Sequence, residues 1–157
     1  MQNKKTLMVG LAGTYFVAAE LSNQGFIATV TSRNAEGIDI LASRPDGSKA
    51  VSIQVKTSGA LQRQHFRCSW IMGKKDEARF SENLVYVFVD LQPSGKHDYY
   101  AVPSKIVADY IRESHQKWLR TPGRKGKQHK DTEMRQFDIA DDATRARYLN
   151  NWENLGL

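Results

Sequence analysis

Residues 84–91, LVYVFVDL, are nearly unbroken in β-branched and aromatic side chains. A strand with one wet face alternates apolar and polar residues, whereas a strand without alternation has to be covered on both faces. This segment is therefore expected to be a central strand of a sheet with a layer on each side. In a chain of 157 residues that means an α/β (α+β) domain with a central mixed sheet flanked by helices.

The segments around it fit that frame. Residues 8–24 carry Phe16, Val17 and Leu21 in a helical stripe and stop at Gly25. Residues 26–32 (FIATVTS), 38–43 and 50–57 (AVSIQVKT) read as strands, and RPDGS at 44–48 has the chemistry of a tight turn. Together 26–57 is expected to be an antiparallel meander. Residues 58–64 read as a polar loop, 66–72 as a short strand and 99–102 as a further one. Pro103 opens a helix to about 119, with Ile106, Val107, Tyr110 and Ile111 on its buried face. Asp141 or Asp142 caps a final helix carrying Tyr148, Leu149 and Trp152. The predicted order is α-β-β-β-(β)-β-β-α-α. It forms a single domain over 1–157, with a core at 8–118 and a basic loop plus terminal helix at 119–157.

Charge is unevenly spread. The net charge is +6, and Lys117, Arg120, Arg124, Lys125, Lys127 and Lys130 account for all of it, with no acidic residue between 117 and 130. A neutral body with one basic segment suits a polyanion partner, and equally a solvated surface loop. Cys68 is the only cysteine, which excludes an internal disulfide and a Cys-rich zinc site. Residues 1–7 are polar and basic, and the apolar stretch after them is broken by Gly10, Gly13 and Glu20. The expectation is a cytoplasmic protein with no membrane partner. The histidines at 65, 97, 115 and 129 have no metal-ligand spacing, and Trp70, Trp118 and Trp152 fall in apolar-patterned elements, so they are read as core.

Two strands hold residues that an apolar sheet does not need. In SIQVKT at 52–57, Gln54 and Lys56 share one face, with Ile53 and Val55 on the other. In GIDILA at 37–42, Asp39 projects opposite Ile38 and Ile40. If the RPDGS hairpin pairs these strands, the three polar groups converge. A plain reading is an Asp39–Lys56 ion pair with Gln54 exposed. A chemical reading is a carboxylate and an amide oxygen for a hard cation, beside an ammonium for a phosphate.

At these residues the sequence resembles the PD-(D/E)XK nuclease superfamily. The resemblance runs from GLAGTYFVAAELSNQGF through FIATVTS and GIDILA to SIQVKT, and is closest in kind to small bacterial and phage members and Holliday-junction resolvases. It implies a restriction-endonuclease-like fold and Mg²⁺-dependent hydrolysis of DNA phosphodiesters, with Mn²⁺ as a substitute. It assigns Asp39, Gln54 and Lys56 to catalysis, and Asp39, Gln54 and the Val55 backbone carbonyl to the metal. Two positions depart from the pattern. Gln54 stands where a second acidic ligand is usual, and Thr14 where the first helix often brings a Glu. Glu20, six residues later, is the remaining candidate for that ligand.

Two functions follow as expectations. One is a metal-dependent endonuclease, with the basic residues 117–130 contacting DNA and a homodimer suited to cutting both strands. The other is a nuclease-fold protein without cleavage that binds DNA or a protein partner, as an immunity or anti-restriction factor does.

Overall fold

The structure, a computed structural model, describes residues 2–32, 36–59 and 68–157, with backbone alone for 2–4. Helix α1, Gln2–Asn23, starts earlier than its apolar stripe and buries Thr14, Val17 and Leu21, one residue per turn. It ends at Gly25, whose φ of 88° closes the helix. Phe26 N–H donates to the Leu21 carbonyl and Gly25 N–H to that of Ser22, the two bonds of a Schellman stop.

Strands β1 (Ile27–Val30), β2 (Ile40–Ser43) and β3 (Ala50–Ser58) form the expected antiparallel meander. Strand β5 (Leu84–Asp90) lies parallel to β3 and is buried at every position. Strand β6 (Asp98–Pro103) adds antiparallel at the far edge, giving a mixed five-stranded sheet in the order β1-β2-β3-β5-β6. The unbroken apolar run of β5 thus takes an interior, doubly covered place as its composition requires, next to the β6 edge, while β3 is the middle strand.

The two faces of β5 feed two cores. Val85, Val87 and Val89 join Val17 and Leu21 of α1 with Ile40, Val51 and Ile53. Tyr86 and Phe88 join Trp70, Met72, Tyr100, Val107, Ile111, Phe137 and Tyr148 on the opposite face. That second face is covered by helix α2 (Ser104–Arg120) and by a two-stranded sheet of β4 (Cys68–Gly73) with β7 (Met134–Ile139).

Strand β7 corrects the expected element order: MRQFDI pairs with β4 and contributes Phe137 and Ile139 to the aromatic core. Its alternation is short and interrupted by Arg135, which is buried beside Glu77. Ile106 is exposed instead of buried, because the inward face of α2 runs through Val107, Ala108 and Ile111. Helix α3 (Asp142–Tyr148) is capped by Asp141, whose carboxylate accepts the Thr144 N–H at 2.8 Å. No helix among the described residues is long and apolar enough to cross a membrane.

Candidate functional site

Ile40 pairs with Ile53, and the N–H of Asp39 also donates to the Ile53 carbonyl, at 2.8 Å. Two consecutive residues therefore oppose one, as in a β-bulge, and the simple alternation expected at Asp39 breaks. The bulge turns the Asp39 side chain toward the β3 backbone. Its Oδ2 accepts the Val55 N–H at 2.7 Å, the place a ladder carbonyl would otherwise take. Oδ1 has no hydrogen-bond partner among the described residues. Thr31 steadies the approach: its N–H donates to the Asp39 carbonyl at 3.0 Å, and its hydroxyl donates to the Ile38 carbonyl at 2.5 Å.

Val55 separates Gln54 from Lys56, so the carboxylate abuts the segment that carries both. Gln54 pairs with Tyr86 and Lys56 with Phe88, which puts both side chains on the aromatic face, as alternation predicts. The Gln54 Oε1 is buried without a hydrogen-bond partner among the described residues. A buried carbonyl oxygen with no donor is costly and suits a cation or a donor supplied from outside the chain. Val55 directs its N–H toward β2, and in a pleated strand its carbonyl points to the same side.

Lys56 does not take Asp39 as its partner. Its Nζ lies 3.8 Å from Oδ2 of Asp76, a residue to which the sequence drew no attention. Asp76 sits in the 3-10 helix Lys74–Ala78 that leads from β4 back toward β5, and it is 1 % exposed. Its Oδ2 also accepts the Gly73 N–H at 2.9 Å, and its Oδ1 accepts the Tyr86 hydroxyl at 3.3 Å. Burial, and then the Asp76 carboxylate, push the Tyr86 phenol well above its ordinary range, so it stays a proton donor. Nothing local in KKDEA marks Asp76, because the contact depends on a helix folding over a strand that ended many residues earlier.

Glu20 is not brought to this place. It lies on α1, which packs on the aliphatic face, and its Oε1 accepts the Gln24 amide at 2.9 Å. Its charge, after burial, raises the Tyr99 phenol, which places it toward β6. Thr14 donates to the Gly10 carbonyl within α1 at 3.2 Å. The described residues contain no group of three or more His, Cys, Asp and Glu side chains able to hold a metal. A cation here would rest on Asp39, the Gln54 oxygen and backbone carbonyl. The free Oδ1 and the orphaned Oε1 suit a hard cation in donor type, with one formal negative charge between them.

Lys117, Arg120, Arg124, Lys125, Lys127 and Lys130 are all exposed, and none forms an ion pair among the described residues. Their segment is folded: Gly126 N–H donates to the Gly123 carbonyl, and Gly123 N–H to that of Lys127. Trp118 departs from its expected core position. It is 41 % exposed and stacks against His129 and His115, with centroids at 4.0 and 5.3 Å. The segment ends at Asp131, which is bonded to His115 at 2.9 Å and to Lys74 at 3.2 Å. The His115 hydrogen bond, then Lys74, hold the Asp131 carboxyl down at about 2. Lys74 belongs to the same 3-10 helix as Asp76, so the basic segment and the candidate site share a support. Gln62, Arg63, Gln64 and His65, which follow β3, lie outside the described residues. The sequence matches no protein-family profile and no curated protein.

Proposed function

We propose that the protein is a PD-(D/E)XK-type nuclease that hydrolyses DNA phosphodiester bonds with Mg²⁺, or Mn²⁺ in its place. The carrying observation is the Asp39 carboxylate fixed on the N–H of Val55, the residue between Lys56 and Gln54, whose buried Oε1 has no hydrogen-bond partner among the described residues. Asp39, Gln54 and the Val55 carbonyl would hold the cation. When bound, such an ion supplies Lewis acidity toward phosphoryl oxygens.

The chain's own residues supply position and charge. The Val55 N–H fixes one oxygen of Asp39, so the carboxylate cannot swing away. Lys56 orients the attacking water and offsets the charge that builds on the phosphate as a P–O bond forms to water and the bond to the leaving oxygen breaks. The exposed cations from Lys117 to Lys130 bind the DNA backbone.

The test is cleavage of DNA by the purified chain in Mg²⁺ or Mn²⁺. Activity is expected to vanish in Asp39→Ala and Lys56→Ala; cleavage that persists unchanged in both overturns the assignment.

A second reading has its own support. The set has one carboxylate, and the ammonium already faces Asp76. The same fold would then bind DNA without cutting it, or bind a protein partner. Binding to DNA by the basic segment should weaken with salt with a slope of about −0.9 per neutralised phosphate. No cleavage with steep salt dependence favours the DNA-binding form, and no DNA binding at all points to a protein partner.

A further inference from the structure

The 3-10 helix Lys74–Ala78 and the residue just after it reach β3 and the turn that leads into β2. Asp76 faces Lys56 on β3. Arg79 lies against Gly37, two residues before Asp39: a Cβ at Gly37 would sit 1.8 Å from the Arg79 Nη1. Gly37 has φ of 75°, so glycine is suited there by conformation as well as by space. Arg79 also bonds Glu36 at 3.1 Å, which ties that loop to the helix.

We infer that Asp76 is a positioning residue for Lys56, holding its ammonium at the site without consuming its hydrogen-bonding capacity. This inference rests on the nuclease reading. A carboxylate this buried is costly unless a charge and hydrogen bonds compensate it. The Gly73 N–H alone would satisfy a helix cap; the Tyr86 hydroxyl and the Lys56 ammonium go beyond capping. At 3.8 Å the Lys56–Asp76 separation exceeds a direct N–H···O bond, yet it is close enough for charge attraction. The ammonium has three N–H donors, and the arrangement leaves them for a phosphate oxygen or an attacking water. The Asp76 carboxylate is set before substrate arrives, because Tyr86 and Gly73 are parts of the rigid core and turn.

The experiment pairs two readouts on wild type and Asp76→Asn. The first is the rate at which an amine-reactive reagent labels Lys56, resolved by peptide mass spectrometry with the other lysines as controls. The second is DNA cleavage kinetics with a thermal melt. Asp76→Asn is expected to label several-fold faster at Lys56 alone. It is also expected to lose roughly ten- to a hundred-fold in kcat with KM little changed. A purely structural role would raise labelling at many lysines and lower the melt without that split.

Unchanged Lys56 labelling overturns the inference whatever the cleavage data say. Faster Lys56 labelling in a protein whose wild type and Asp39→Ala forms both fail to cut shows the ion pair but removes the nuclease reading, and the positioning role of Asp76 in cleavage with it. Should Asp76→Asn not fold, Tyr86→Phe loosens Asp76 by one hydrogen bond. It is expected to raise Lys56 labelling in the same direction, and no change there also overturns the inference.

Discussion

The two faces of the central sheet are built from the same strands yet differ in kind. The α1 face is aliphatic: Val51, Ile53, Val85, Val87 and Val89 meet Val17 and Leu21. The other face is aromatic, with Tyr86, Phe88, Trp70, Tyr100 and Phe137 in contact, and Phe88 and Phe137 stack at 4.4 Å and 9°. It also holds the polar groups that apolar packing does not need, namely Gln54, Lys56 and Asp76. One face closes the fold, and the other combines closure with a polar cluster on β3 and the 3-10 helix Lys74–Ala78. Aromatic residues suit that double duty, since Tyr86 supplies buried area and a hydroxyl for Asp76 from one side chain.

The sharpest way to break this comparison is to remove matching residues from each face. Phe88→Ala is expected to cost about 3–5 kcal/mol, because it deletes the centre of the aromatic stack. Val87→Ala is expected to cost about 2 kcal/mol. Urea unfolding of both variants measures the difference; equal losses would contradict the aromatic stack as the larger contributor.

A smaller effect is expected where α1 meets the sheet. A Cβ on Gly13 would lie 1.9 Å from the Thr57 hydroxyl oxygen, so Gly13→Ala has to lift the helix or displace the strand end. The expected cost is roughly 1–3 kcal/mol. Amide exchange should rise along α1 and stay unchanged in β4 and β7. Faster exchange on both faces would show that the two cores are not separable.

The smallest effect concerns the basic segment and its tie to the aromatic side. Asp131 is held down at about 2 against an ordinary 3.8. A depressed carboxylate stabilises the folded form above its unfolded value, and that contribution fades as pH falls through the folded one. Asp131→Asn should therefore melt slightly below wild type at neutral pH. The gap should close between about pH 4 and pH 2. A gap that stays constant over that window would mean that the His115 and Lys74 contacts do not anchor the segment.

Much of the frame was legible because local rules decide it. The continuous run of β5 placed it inside the sheet with both faces covered, RPDGS set the hairpin, Gly25 stopped α1 and Asp141 capped α3. Gln54 and Lys56 were found from the period of a strand. What escaped depends on distant partners. Strand β7 is defined by pairing with β4, more than sixty positions earlier in the chain. The bulge that turns Asp39 inward is a property of two strands together. Asp76 meets Lys56 only because a short helix folds back over β3. Trp118 looked like core from its helical pattern, but its ring lies on the outer side of α2 with two histidines.

A crystal of the chain grown with Mn²⁺ and read by anomalous scattering tests the central claim most directly. The account predicts one ion in contact with the Asp39 carboxylate and the Gln54 side-chain oxygen, and its loss in Asp39→Asn. A saturated crystal with no ion there, or with the ion bound elsewhere and unaffected by Asp39→Asn, would contradict it.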